Sequence, residues 1–172
     1  MIVGIASLVL AIIGVFGVFS LLPKVSISAG EPPNPNDPFS TPFTVANVGN
    51  LPIYDVRIVC DVRRIEIGAA VYRDTPFTFT MVTPKIPSDD AKVFQCDVIK
   101  TTGFVPMKSA DIAIIVKFRP SLYPWKTTST ARFVAEIDES GRFRRWRRDL
   151  AANRPKEHPG KDEAPYPHPL TR

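Results

Sequence analysis

The chain has 172 residues, 44% of them hydrophobic and 23% charged, with a formal net charge of +5 and two cysteines. That charge is local: residues 24–141 hold 13 basic and 13 acidic side chains, whereas residues 142–172 hold 9 and 4. A neutral body argues against a basic nucleic-acid module. With both histidines, His158 and His168, beyond residue 150, the body also lacks imidazole for triads, proton relays and most zinc sites.

The first element is the run Met1–Leu22, MIVGIASLVLAIIGVFGVFSLL, which has no charged residue and no proline. As a helix it would reach about 33 Å, against roughly 30 Å of hydrocarbon in a bilayer. Residues 1–22 are therefore expected to form an uncleaved transmembrane signal anchor, ended by Pro23 and Lys24. The alternative is a cleaved leader, since Ser26 and Ser28 offer small residues at −3 and −1. A buried core helix would carry a polar face, and this run has none. Gly4, Ser7, Ala11, Gly14 and Gly17 fall on one helical stripe, where two membrane helices can approach closely. The simpler reading is that small residues are common in such helices.

The body, residues 23–148, reads as strands. Val25 and Ile27 alternate with polar neighbours, and the proline-rich link Glu31–Pro38 cannot enter a sheet interior. Phe43 and Val45 alternate within Thr41–Asn47, and Asn47-Val48-Gly49-Asn50 is a turn in which Gly49 can take a positive φ. Tyr54, Val56, Ile58, Cys60 and Val62 share one face of the clearest strand, opposite Asp55, Arg57, Val59, Asp61 and Arg63. Ile65 and Ile67 extend it past a bulge. Phe77, Phe79 and Met81 alternate with threonines; after the turn Pro87–Asp90, Phe94, Cys96 and Val98 point inward. Asp111–Arg119 is a central strand with apolar residues on both faces, and Ala131, Phe133, Ala135 and Ile137 mark the next. Asp138–Gly141 turns the chain into Arg142–Arg147, an edge strand. Seven to nine short strands without a helix predict an all-β fold, closed as a two-sheet sandwich of immunoglobulin-like type, with a small barrel as the alternative. Residues 149–172, dense in proline and poor in aliphatic side chains, read as a disordered tail.

Four groups of residues could carry function. Cys60 and Cys96 have matching inward phase; if their strands lie in opposite sheets, a disulfide joins them and implies an oxidising compartment. Otherwise they are two buried thiols. Phe118–Lys126 packs aromatics and prolines into one loop. Trp125 and Tyr123 are expected to plug the open end of the sandwich; the other reading makes Arg119, Tyr123 and Trp125 an interaction loop. Arg142, Arg144, Arg145, Arg147 and Arg148 surround Phe143 and Trp146. That cluster suits anionic headgroups or stacked bases, or else an edge strand protected by charge. The adjacent Asp89 and Asp90 read as a solvated turn rather than a facing carboxylate pair. No phosphate loop, metal spacing or nucleophile elbow occurs, so neither a cofactor nor catalysis is expected.

The order of motifs resembles that of small membrane-anchored bacterial proteins without an assigned activity. It is carried by the apolar anchor, Asp37-Pro38-Phe39-Ser40-Thr41-Pro42-Phe43, Leu51-Pro52-Ile53-Tyr54-Asp55-Val56 leading to Cys60, Ala110-Asp111-Ile112-Ala113, and Phe118-Arg119-Pro120-Ser121 with Pro124-Trp125. The piece Phe43–Gly49 is similar to adhesion-type immunoglobulin-like modules. The resemblance covers residues 1–148 and implies a fold but no catalytic residues. The expected protein is single-pass in the cell membrane, its sandwich outside the cytoplasm, where it binds or scaffolds a protein partner. The alternative is an accessory subunit of a membrane complex, its helix packed on partner helices or on a second copy. No nucleic acid is expected as a partner.

Overall fold

A computed structural model describes residues 21–34, 37–73, 78–97 and 107–150. Nine antiparallel strands and a single turn of 3-10 helix at Pro38–Ser40 are the regular elements of the described residues. The strands form two sheets. The small one has the order β1 (Val25–Ala29), β2 (Pro42–Asn47), β6 (Ala91–Gln95). The large one is built on β3 (Ile53–Ile67) and β7 (Met107–Pro120), continued by β8 (Thr127–Ile137) and β9 (Phe143–Arg148). The other edge of β3 is shared by β5 (Thr78–Ile86) along its first part and β4 (Ala70–Arg73) along its last.

The sheets face each other as a sandwich because alternate residues on both are apolar. Phe43 and Val45 of β2 are fully buried against Val56, Ile58, Cys60 and Val62 of β3 and Ile112, Ile114 and Val116 of β7. Phe43 is the hub of the aromatic contacts, with Phe133 at 5.4 Å, Phe94 at 6.0 Å and Trp146 at 6.2 Å between ring centroids. Burying one such ring contributes about 2–3 kcal/mol. As its run of apolar residues predicts, β7 is covered on both faces: Ala113 and Asp111 on the outer face are buried too.

Three local readings are corrected. Tyr54 does not continue the inward face of β3. Asp55 adopts φ 50°, the pairing with β7 shifts between Tyr54 and Arg57, and Ile53 takes the core position. Gly49 does not use a positive φ, which falls on Asp89, Gly68 and Gly141. A side chain at Gly49 is instead excluded by space, since a Cβ would lie 3.0 Å from the Lys24 nitrogen. β4 has no counterpart in the sequence reading, because all four of its residues are exposed and give no alternation to see. The expected bulge before Ile65 is present, as a register shift between Val62 and Arg64.

Among the described residues no helix is long and apolar enough to cross a membrane. The expected anchor lies outside them except for Leu21 and Leu22, as do its small-residue stripe at Gly4, Ser7, Ala11, Gly14 and Gly17, the inward positions Phe77 and Val98, and the tail from residue 151.

Candidate functional site

Strand register gathers distant segments at one end of the sandwich. Val25 lies opposite Asn47, Ile53 opposite Ile86 and Pro120, and Phe118 opposite Thr127. The start of β1, the link β2–β3, the turn β5–β6 and the loop β7–β8 therefore share that end. Asn47 stitches it together from a fully buried position. Its Nδ2 donates to the carbonyls of Leu51 and Pro87, both at 2.9 Å, and of Ile86 at 3.3 Å. Its Oδ1 accepts from the Gly49 N–H at 3.2 Å. The Val48 N–H donates to Lys24 O at 2.9 Å, which fixes where the chain enters the domain. The Ser121 hydroxyl donates to Pro52 O, joining the aromatic loop to the same cluster.

The loop β7–β8 does not plug the sandwich. Trp125 is 61% exposed and Leu122 57%, while Tyr123 is half-buried with its ring 5.0 Å from that of Trp125. The core is already closed at this end by Phe118, Ile53 and Ile86, all buried, so the two prolines at 120 and 124 carry the loop outward. Beside it, the Arg119 guanidinium donates to Asp55 at 2.9 Å and lies 5.5 Å from the Tyr54 ring. Lys85 stands 5.7 Å from the same ring. Tyr54 is half-buried, and a cation–π pair near the surface contributes about 0.5–1 kcal/mol. An open groove beside them, on the outer face of the large sheet, is lined by Asp55, Arg57, Val82, Lys117 and Lys126.

Cys60 on β3 and Cys96, just past β6, form a disulfide with Cα atoms 5.9 Å apart. Because β3 and β6 belong to different sheets, the bridge crosses the core.

The arginine cluster sits elsewhere. β9 is the edge of the large sheet, and its aromatics point inward: Phe143 and Trp146 are each 5% exposed. The Trp146 indole N–H donates to Pro38 O at 3.0 Å. Neither ring is available to stack on a base. On the outer side Glu136 receives Arg145 at 2.7 Å and Arg147 at 3.1 Å, and Arg144 approaches Asp138 at 4.0 Å. The hydrogen bond from Arg145, then the charges of Arg145, Arg147 and Arg144, hold the Glu136 carboxyl below its usual range. Asp138 is likewise lowered, first by the Ser140 hydroxyl and then by the Arg142 N–H. Arg142 thus caps a turn through its backbone, at 2.9 Å from Asp138, and Arg148 pairs in register with Phe133.

Asp111 and Arg132 form a half-buried ion pair that the sequence reading missed. Arg132 Nε donates to both carboxylate oxygens, at 2.8 and 3.0 Å, and Nη2 adds a further bond. This holds the Arg132 guanidinium charged more firmly than usual. The two residues sit 21 positions apart on adjacent strands, and only the register of β7 with β8 brings them together. Asp89 and Asp90 lie in an open turn, with Asp90 capping the Ala91 N–H at 2.7 Å. No group of three or more His, Cys, Asp or Glu suited to a metal occurs among the described residues. No protein-family model, curated protein or solved structure matches the chain.

Proposed function

We propose that this chain is a single-pass membrane protein that holds an immunoglobulin-like sandwich outside the cytoplasm, where it binds or scaffolds another protein without catalysis. The observation that carries the reading is the disulfide between the sheets, in a domain that follows an uncharged apolar run with almost no linker. A bridge of this kind persists in an oxidising compartment, and the apolar run supplies both the route there and the tether. The immunoglobulin-like part is supported by strand order. The set β1-β2-β6 against β5-β3-β7-β8 follows the A-B-E and C′-C-F-G arrangement of such domains, with β9 added beyond the last strand. The bridge departs from that family's usual pairing, since it joins the C and E equivalents rather than B and F.

Extraction of cell membranes with alkaline carbonate tests the tether. The chain is expected to stay with the lipid, and denatured protein from that fraction should expose no free thiol at Cys60 or Cys96. Release into the supernatant overturns the tether. Full thiol labelling of membrane-derived protein overturns the exported placement. A larger native complex that Gly14→Leu disrupts favours an assembly subunit instead.

A further inference from the structure

We propose that the tip of the β7–β8 loop, Leu122 to Lys126, is a second membrane contact that lies in the lipid headgroup layer beside the tether. The inference rests on the proposed anchor and adds a lipid-binding surface to it. It begins with reach. Only Pro23 and Lys24 separate Leu22 from Val25, the first residue of β1, so three Cα-to-Cα steps join them. Three fully extended residues span at most about 10 Å. The headgroup region on one side of a bilayer is roughly 5–8 Å deep. A run that leaves the hydrocarbon at Leu22 therefore brings the start of β1 to the lipid surface, and the whole end of the sandwich with it.

That end is built for such a surface. Leu21 and Leu22 are 39% and 38% exposed beside Gly49, where the bond from Val48 to Lys24 fixes the entry of the chain. Leu122 and Trp125 are exposed at the same end, and the half-buried Tyr123 packs its ring on that of Trp125. Trp and Tyr prefer the headgroup level because the ring is apolar and its N–H or O–H stays wet. Lys126 closes the loop, Lys85 and Arg119 flank the Tyr54 ring, Lys24 stands where the chain enters the same end, and Arg57 and Lys117 line the groove with Lys126. Long basic side chains of this kind lay their methylenes along the lipid and place the charge at phosphate. Asp89 and Asp90 occupy the turn β5–β6 at the same end. Both are bonded through the backbone to Asn47, beside the entry of the chain at Lys24, and Asp55 pairs with Arg119, so the basic side chains of this end outnumber the acidic ones. β9 starts at the opposite end, where Phe143 pairs with Ile137, and runs back only as far as Phe133, short of the β7–β8 loop.

The chain contains two tryptophans, Trp146 buried and Trp125 exposed, so fluorescence can separate them. The test uses the full chain in vesicles of phosphatidylcholine and phosphatidylglycerol brominated near the headgroup, with flotation as a parallel readout. Bromine should quench the emission component that Trp125→Phe removes, and acrylamide in the water should lose access to it. The Trp146 emission left in Trp125→Phe should ignore the brominated lipid. A floated protein whose Trp125 still answers to acrylamide and ignores bromine overturns the contact while the tether stands. Shielding from acrylamide without bromine quenching, the mark of a protein covering the loop, overturns it too. A chain that does not float sinks the tether and this contact together.

Discussion

Replacing Asn47 with alanine removes a buried side chain that ties the β2–β3 link to the turn β5–β6 at the end of the sandwich. The carbonyls of Leu51 and Pro87 lose their closest side-chain donor, and the Gly49 N–H loses its acceptor. A hydrogen bond of this kind contributes about 1 kcal/mol net, and a buried group left without a partner costs about 1–3 kcal/mol. Leu51 and Pro87 lie at partly solvated positions, so water replaces some of the loss. The expected destabilisation is about 2–4 kcal/mol. In a domain of this size that lowers the melting midpoint by roughly 10 °C. Asn47→Asp should be worse at neutral pH. It keeps the shape, but it turns an acceptor toward carbonyl oxygens where the amide donated, and it buries a charge. The assay is thermal unfolding of the full chain in detergent, followed by near-ultraviolet circular dichroism. If Asn47→Ala melts within the error of the parent, or if Asn47→Asp is the more stable of the two, the hub assignment is wrong.

The two tryptophans should respond oppositely to truncation. Trp146→Ala is expected to cost about 3–5 kcal/mol in the same unfolding assay, whereas Trp125→Ala stays within about 0.5 kcal/mol of the parent. The Glu136 carboxyl, held below its ordinary 4.5, contributes stability that is fully present above that pH and is lost as acid carries the folded group through its lowered value. Glu136→Gln should therefore lower the midpoint at pH 7 and leave it unchanged at strongly acidic pH, with the difference shrinking in high salt. The Thr41 hydroxyl is fully buried without a hydrogen-bond partner. Thr41→Val should leave the midpoint unchanged or raise it, and a fall of several degrees would expose a bond not seen in the structure.

Much of this fold was legible because period-2 alternation survives wherever one face is buried and the other wet. Val56 to Val62, Phe43 and Val45, and the doubly covered β7 all follow from it. The alternation failed where the backbone itself changed phase. At Tyr54 the positive φ of Asp55 reverses the faces, and aspartate in a strand does not announce that. The plug expected of Trp125 failed for another reason. Composition says that a tryptophan prefers a core, but it does not say whether the core still has room, and Phe118 and Ile53 had already filled it. Asn47 and the Asp111–Arg132 pair were invisible because their meaning lies in partners brought close by strand pairing. The phase of Cys60 and Cys96 was readable, whereas their proximity had to wait for the assignment of β3 and β6 to opposite sheets.

The same bridge changes what peptide-bond cleavage can do to this molecule. Thirty-six positions separate its two half-cystines, and β4, β5 and β6 lie wholly inside that span. A single proteolytic nick anywhere in the enclosed segment leaves two polypeptides that remain one molecule. The amino-terminal piece retains β1, β2 and β3 at least as far as Cys60, and the carboxy-terminal piece retains β7, β8 and β9. Whatever the first piece is fastened to, it keeps hold of the second until a reductant arrives.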